Sequence, residues 1–398
     1  MLNFLHFITV FCTLALCTQT FAQNGSEGVP EERQEVVRLQ IFLDQNHFGP
    51  GVIDGKMGTY TKMAVEAYNK RNGLAEGDWD AVQKLAVQEV QDIYAVAIVP
   101  DLATKMVDPG FANNKNRSSQ ARRKSMPYRS IAEFMAERYH TTVDFLEIVN
   151  GKEKVKQATT RTPLIVPNVA PFRIELVADG RTHKKDPILS QRWAVIDTTK
   201  HQIRIYEPLE GAPPYEEQTS DALAENDELG SLDSSPPEQL ESQPLVKTQV
   251  DGEALKSGAP PRALIIEEDS SAKPKLTPWD EHRALIVAAF PITPGQPQFI
   301  RRGQWKMMNA IEFPTWRYDA SLLKTGQRSN SALTIPSGPN NPVGVIWMGL
   351  SRRGIGIHGT DSPETIGRSR SAGCVRLTNW DAIELPNYIR PGATVFIK

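Results

Sequence analysis

Two segments near the C-terminus carry the residue types of acyl-transfer chemistry: Gly356-Ile357-His358-Gly359-Thr360-Asp361 and Ser371-Ala372-Gly373-Cys374-Val375-Arg376-Leu377. A free thiol ionises at about pH 8.5, and its thiolate is the nucleophile. An imidazole beside it can take the proton, leaving a thiolate–imidazolium pair. Gly373 leaves room for a substrate backbone and lets main-chain N–H groups turn toward one point. Two such donors, from Gly373 and Cys374, could hold a developing oxyanion. Arg376, two residues on, offers a fork for a substrate carboxylate. The plainer alternatives are a buried cysteine acting as a small hydrophobe and a packed strand-end histidine. One Cys, one His and Asp361 fall short of a zinc site, so no metal is expected.

These residues must be brought together by strands. His358 ends a predicted strand, Ile355 to His358, and Cys374 follows a loop holding Pro363 and Gly367. Further strands are predicted at Trp193 to Asp197, Gln202 to Tyr206, Ala284 to Phe290, Val343 to Trp347 and Thr394 to Ile397; in the second, Ile203 and Ile205 alternate with polar neighbours. Thr378 followed by Asp381 marks a helix start. Residues 207–278 are rich in Glu, Asp, Ser and Pro and poor in aromatics, the composition of a disordered insertion, here placed between two strands of one domain.

The whole chain has 398 residues, enough for two or three domains. Its net charge is −2 and it has no basic block, so no nucleic-acid partner is indicated. Phe4 to Leu16 is almost wholly apolar and is followed by Thr20-Phe21-Ala22, which reads as a signal peptide over 1–22, too short for a stable membrane span. Of three cysteines, Cys12 and Cys17 lie in that leader. The exported chain would keep only Cys374, a thiol with no internal partner.

Two small modules precede the strand-rich region. Over 32–74, Val36, Leu39, Gln40 and Leu43 follow helical spacing. Glycine-rich breaks follow at Gly49-Pro50-Gly51 and Asp54-Gly55, and Tyr60, Met63, Ala64 and Ala67 form a second stripe. Over 125–169, Ile131, Phe134, Met135 and Arg138 predict one helix, and Phe145, Leu146 and Val149 another. Asn150-Gly151 is a turn pair, and Leu164 to Pro167 reads as a closing strand. Residues 113–124 read as linker, and 75–123 as a whole suggest no role.

The His-Gly-Thr and Ser-x-Gly-Cys-x-Arg segments resemble the signature of the L,D-transpeptidase catalytic domain, with one departure: Ala372 stands where many members carry a second His. Ala194 to Tyr206, Phe290 to Gly295, Gly338 to Gly344 and Pro391 to Val395 are similar to further parts of that domain. Val52 to Gly58 with Thr61, Ala64 and Val65 resembles a peptidoglycan-binding domain. Ser130-Ile131-Ala132 and Leu146 to Asn150 resemble a LysM module whose opening strand is missing.

The resemblance implies a multidomain chain. A mostly β, sandwich-like catalytic domain would span 191–398, preceded by a small helical peptidoglycan-binding domain and a small α+β LysM-like module. It implies Cys374 as nucleophile, His358 as base oriented by a backbone carbonyl, and the Gly373 amide in the oxyanion site. Arg376, Ser371, Gly359 and Thr360 would border the substrate. The partner would be peptidoglycan, both stem peptides and glycan strands, with no cofactor, in the periplasm or cell wall. The reaction would release D-Ala and form a cross-link between third-position residues. The alternatives are an L,D-carboxypeptidase that uses water as acceptor, and a non-catalytic wall anchor.

Overall fold

The computed structural model describes residues 29–111, 116–209, 284–297, 299–321, 329–352, 354–368 and 373–398. The expected signal peptide lies outside the described residues, as does all of the expected insertion beyond its first three residues. Among the described residues no helix is long and apolar enough to cross a membrane.

The first module is three helices: α1 (Glu31–Gln45), α2 (Thr59–Arg71) and α3 (Trp79–Glu89). Leu39, Ile41, Phe42 and Leu43 of α1 are buried, as are Met63, Ala64, Val65 and Ala67 of α2. Gln40 is the one polar residue of the expected stripe, and it is also buried. Its Oε1 accepts the N–H groups of Asp54 (3.1 Å) and Gly55 (2.8 Å), while Nε2 donates to the Lys56 carbonyl (3.2 Å). Gly55 has φ +69, and a Cβ there would strike Arg33. The Asp54-Gly55 pair is thus a tight turn held by a buried amide.

The second module has helices α6 (Ile131–Arg138), α7 (Val143–Asn150) and α8 (Lys152–Lys156) and a closing strand β2 (Pro163–Pro167). Ser130 and Thr142 cap α6 and α7 by accepting from the Glu133 and Phe145 amides. The opening strand absent from 125–169 comes from upstream: β1 (Tyr94–Ile98) pairs antiparallel with β2, Tyr94 opposite Pro167. It falls in the stretch to which the sequence assigned no role. Between β1 and α6 lie α4 (Ala103–Met106) and α5 (Arg117–Ala121). The latter, capped by the Asn116 side chain, replaces part of the expected linker.

The remainder is a two-sheet sandwich. One sheet has the order β5-β4-β3-β13-β6, with β3 (Trp193–Asp197), β4 (Gln202–Pro208), β5 (Ala284–Pro291), β6 (Gly303–Lys306) and β13 (Thr394–Ile397). The other has the order β12-β11-β10-β7, with β7 (Ile311–Glu312), β10 (Ile346–Gly349), β11 (Gly356–His358) and β12 (Val375–Arg376). A hairpin of β8 (Trp316–Tyr318) and β9 (Leu333–Ile335) stands apart. Ala194, Ile196, Ile203, Ile205, Phe290 and Val395 from the first sheet meet Ile346, Met348, Ile357 and Val375 from the second in one core. Helix α9 (Asn379–Glu384) starts where the sequence predicts, with the Thr378 hydroxyl accepting the Asp381 N–H.

Two expected boundaries move. The Val343 to Trp347 strand begins only at Ile346, because Gly344 turns the chain at φ +63. At the ends of the insertion, Pro208 pairs with Ala284, so the sheet continues directly across it.

The modules share cores and bonds with the sandwich. Val345 and Trp380 belong to the same apolar cluster as Phe134, Leu146 and Leu164 of the second module. The first module docks on β5: Gly49 N–H donates to the Ala289 carbonyl (2.8 Å), and Ala289 N–H to the His47 carbonyl (3.1 Å).

Candidate active site

Alternation decides which faces the reactive residues take. Strands β11 and β12 run parallel, with Ile357 opposite Val375 and His358 opposite Arg376. Ile357 and Val375 are both fully buried in the sandwich core. Neighbours along a strand point to opposite sides, so His358, Cys374 and Arg376 share the other face. The sequence segments therefore converge through strand register, with Cys374 two residues ahead of the arginine that pairs with the histidine strand.

Other elements hold this arrangement in place. On the far side of β12, Thr293 bridges Arg376 through two backbone hydrogen bonds of 2.9 and 3.0 Å. The Thr293 hydroxyl also accepts the Gly367 N–H (2.6 Å), tying down the loop between the histidine and the cysteine. Gly373 sits at φ +127, a conformation suited to glycine, and Gly295 lies so close that a Cβ on it would fall on the Gly373 backbone.

His358 is 4% exposed and its ring stacks on Trp347, which pairs with it across the ladder (centroids 5.6 Å apart, planes at 19°). Nδ1 lies 2.7 Å from the Gly359 carbonyl oxygen, an acceptor, so Nδ1 carries the proton and Nε2 remains for base chemistry. Burial lowers the imidazole pKa to about 3, the Arg376 charge acts in the same direction, and the Gly359 contact opposes both.

Cys374 keeps part of its surface accessible, yet burial dominates its ionisation and raises the thiol above its ordinary value; the Gly356 N–H and the Arg376 charge pull it back. Its Sγ lies 3.6 Å from the Gly354 carbonyl. Both shifts run toward the neutral forms, with burial as the largest cause of each.

Of the other expected site residues, Arg376 is half-buried, and its Nε is buried without a hydrogen-bond partner among the described residues. Thr360 is 1% exposed, and its N–H is taken by the Asn379 side chain. Gly359 contributes the carbonyl that accepts the hydrogen bond from His358 Nδ1. Ser371 and Ala372 lie outside the described residues. Sequence reasoning missed Trp347 and Asn379; an asparagine directly after a helix cap was the available signal for the latter. Among the described residues no cluster of His, Cys, Asp and Glu could hold a metal ion. A cleft of about 450 Å³ lies between the modules and the histidine–cysteine loop, with Arg33 and Asp54 from the first module, Glu133 and Phe145 from the second, and Asp361 and Arg368 from that loop on its walls; His358, Cys374 and Arg376 are not among its lining residues.

Comparison with known proteins identifies two domains. Residues 273–397 match the model of the L,D-transpeptidase catalytic domain, and residues 32–83 match that of the "Putative peptidoglycan binding domain". The chain is 44% identical over 60 residues to "Putative L,D-transpeptidase YkuD" of Bacillus subtilis (strain 168), covering 15% of this chain and 37% of the relative. It is 38% identical over 64 residues to "Putative L,D-transpeptidase YqjB" of the same organism, covering 15% and 36%. The chain thus spans little more than a third of the length of the curated relatives it matches. L,D-transpeptidase 3 from Mycobacterium tuberculosis overlays with a TM-score of 0.27 at 13% identity, covering 61% of this chain and 76% of that one. A mutant of the Enterococcus faecium L,D-transpeptidase overlays at 0.22 and 22% identity, covering 28% and 42%. Overlays this loose add nothing to the assignment, which rests on the family models. The chain carries an L,D-transpeptidase catalytic domain over residues 273–397 and a peptidoglycan-binding domain over residues 32–83.

Proposed function

We propose that the protein is a peptidoglycan L,D-transpeptidase that forms cross-links between third-position stem residues. The observation that carries this reading is the parallel register that sets His358 against Arg376 and places Cys374 on the same face, with His358 Nδ1 tied to a carbonyl. The thiol proton passes to His358 Nε2 as Cys374 Sγ attacks the carbonyl before the terminal D-Ala of a stem tetrapeptide. The Gly373 and Cys374 amides receive the oxyanion. As the tetrahedral intermediate collapses, the C–N bond breaks, His358 gives its proton to the departing D-Ala amine, and a thioester remains. An amine of a neighbouring stem, losing its proton to His358, attacks the thioester and frees the thiol. Arg376 is assigned to the substrate carboxylate, and Gly359 and Thr360 act from beneath the site, through the peptide whose carbonyl holds His358.

The catalytic domain begins at about residue 191, since β3 and β4 complete its sheet, and the 207–278 insertion interrupts it. The helical domain and a LysM-like unit built from β1, α6, α7 and β2 tether the enzyme to glycan strands. A substrate of that kind supports a location outside the cytoplasmic membrane, in the periplasm or wall, reached through the leader expected at 1–22. Water as acceptor would make the same thioester an L,D-carboxypeptidase step.

The test is incubation with a disaccharide-tetrapeptide, with and without an acceptor stem, and identification of products by mass. Wild-type protein should release D-Ala and form dimers when acceptor is present. Cys374→Ala should lose release while still pelleting with walls, and Arg376→Lys should lower kcat/KM by about 1.5–3 kcal/mol of transition-state stabilisation. D-Ala release by folded Cys374→Ala protein would remove Cys374 as the nucleophile.

A further inference from the structure

We propose that Asn379, braced by Glu137 of the second module, is a positioning residue for His358 and acts through the Gly359–Thr360 peptide. This rests on the reading of His358 as the base.

The two polar ends of one peptide group are both engaged. Its carbonyl, Gly359 O, accepts from His358 Nδ1 at 2.7 Å. Its N–H, on Thr360, donates to Asn379 Oδ1 at 3.1 Å. A peptide is planar, so a group that holds its N–H also fixes the direction of its C=O. Asn379 thereby sets the orientation of the carbonyl that selects the histidine tautomer.

The amide of Asn379 is fully committed. Oδ1 also accepts the Val345 N–H at 3.1 Å, and Nδ2 donates to Glu137 Oε1 at 2.8 Å and the Pro339 carbonyl at 3.3 Å. Turning the amide over would set its N–H2 against two backbone donors, so the orientation is fixed by its partners. The fit is close: a Cβ on either Gly344 or Gly359 would collide with Oδ1. Asn379 is 0% exposed and Glu137 5%.

Glu137 is itself held from a second side, by the Tyr128 hydroxyl donating to Oε2. Tyr128 and Glu137 both belong to the second module's segment, 242 residues from Asn379 in the case of the glutamate. The orientation of the catalytic base is thus completed by a helix outside the residues matched by the catalytic-domain model. Burial raises the Glu137 carboxyl to about 8 against the pull of both donors, so a neutral acceptor is a reasonable replacement and Gln is the conservative variant.

The experiment uses the full chain with Glu137→Ala and Glu137→Gln. Three quantities are read: kcat and KM on the disaccharide-tetrapeptide, the alkylation rate of Cys374 against pH, and the ring-nitrogen resonances of His358. Glu137→Ala should lower kcat by about 10²-fold, the cost of a small misplacement of a reacting group, with KM little changed. Its alkylation profile should shift, and His358 should lose its single Nδ1–H tautomer. Glu137→Gln should restore kcat to within about threefold. A folded Glu137→Ala protein with wild-type kcat, alkylation and tautomer would overturn the proposal, as would a Glu137→Gln protein as impaired as Glu137→Ala. Should Glu137→Ala fail to fold, the wild-type protein decides: an Nε2–H tautomer, or a Thr360 amide that exchanges freely with solvent, breaks the chain of contacts. Alkylation and resonances need no wall substrate, so they separate failure of this proposal from failure of the transpeptidase reading.

Discussion

Two buried side-chain amides in this molecule perform the same local task with different reach. Gln40 collects the N–H groups of Asp54 and Gly55 and returns its own N–H to the Lys56 carbonyl. Every partner lies in the same three-helix module, so the motif closes on itself. Asn379 collects the N–H groups of Val345 and Thr360 in the sandwich, but one of its own hydrogen bonds goes to Glu137 of another module. The first amide ties a turn to the helices of its own module, with Nε2 also reaching Thr61 Oγ1 at 3.3 Å. The second makes the geometry at His358 depend on how two parts of the chain are docked. The chemistry of a clamp is therefore a poor guide to its role; what matters is where its last hydrogen bond ends.

Truncating each amide tests that difference. Asn379→Ala and Gln40→Ala should both lower stability, by about 1–3 kcal/mol for each backbone group left buried and unpaired. Only Asn379→Ala should also lose about 10²-fold in kcat on a soluble tetrapeptide. Thermal unfolding alongside steady-state kinetics separates the two, and equal kcat losses per folded molecule would erase the distinction.

A smaller effect is expected at a second contact between modules. His140 of the second module lies 3.0 Å from Asp44 of α1 and stacks on Trp380 of α9 at 5.2 Å. Burial lowers its pKa, but Asp44, Asp381 and Glu384 outweigh that, and the net shift is upward. A raised value in the folded state means the charged form is favoured by folding. The stabilisation is complete below the unfolded value near 6.5 and is lost as pH rises through the folded value. Glu137 and Asp381, whose carboxyls are also raised, push stability in the same direction as pH rises. The comparison with Asp44→Asn isolates the histidine. Between pH 6 and 9 the wild type should lose about 1 kcal/mol more than the variant, roughly 2–4 °C in Tm. Parallel curves for the two proteins would show that the pair contributes nothing to docking.

Much of this was legible in the sequence because it is local. Ile203 and Ile205 alternating with polar neighbours marked β4, short apolar runs marked β3, β5 and β13, and the Thr378–Asp381 spacing marked α9. Ile357 and Val375 alternate with His358 and Cys374, so the convergence of the reactive pair was readable once both segments were taken as strands. The parts that were not legible depend on distant partners. Tyr94 to Ile98 is a short apolar run that becomes β1 only because Leu164 to Val166 lies opposite it. Glu137 reads as an ordinary helix-face glutamate, since nothing near it announces Asn379. The direction in which burial shifts His358 and Cys374 depends on packing, which spacing does not reveal.

The docking of the first module on β5 has a consequence for solubility. That strand is the outermost of its sheet, and the His47-to-Gly49 segment occupies hydrogen-bonding groups of Ala289 that would otherwise face solvent. An uncovered outer strand is a template for pairing with another chain. The helical module therefore also acts as an edge guard against self-association. A chain starting after residue 92 should form oligomers by sedimentation velocity at concentrations where the longer chain stays monomeric, and a monodisperse truncated chain would show that the edge protects itself.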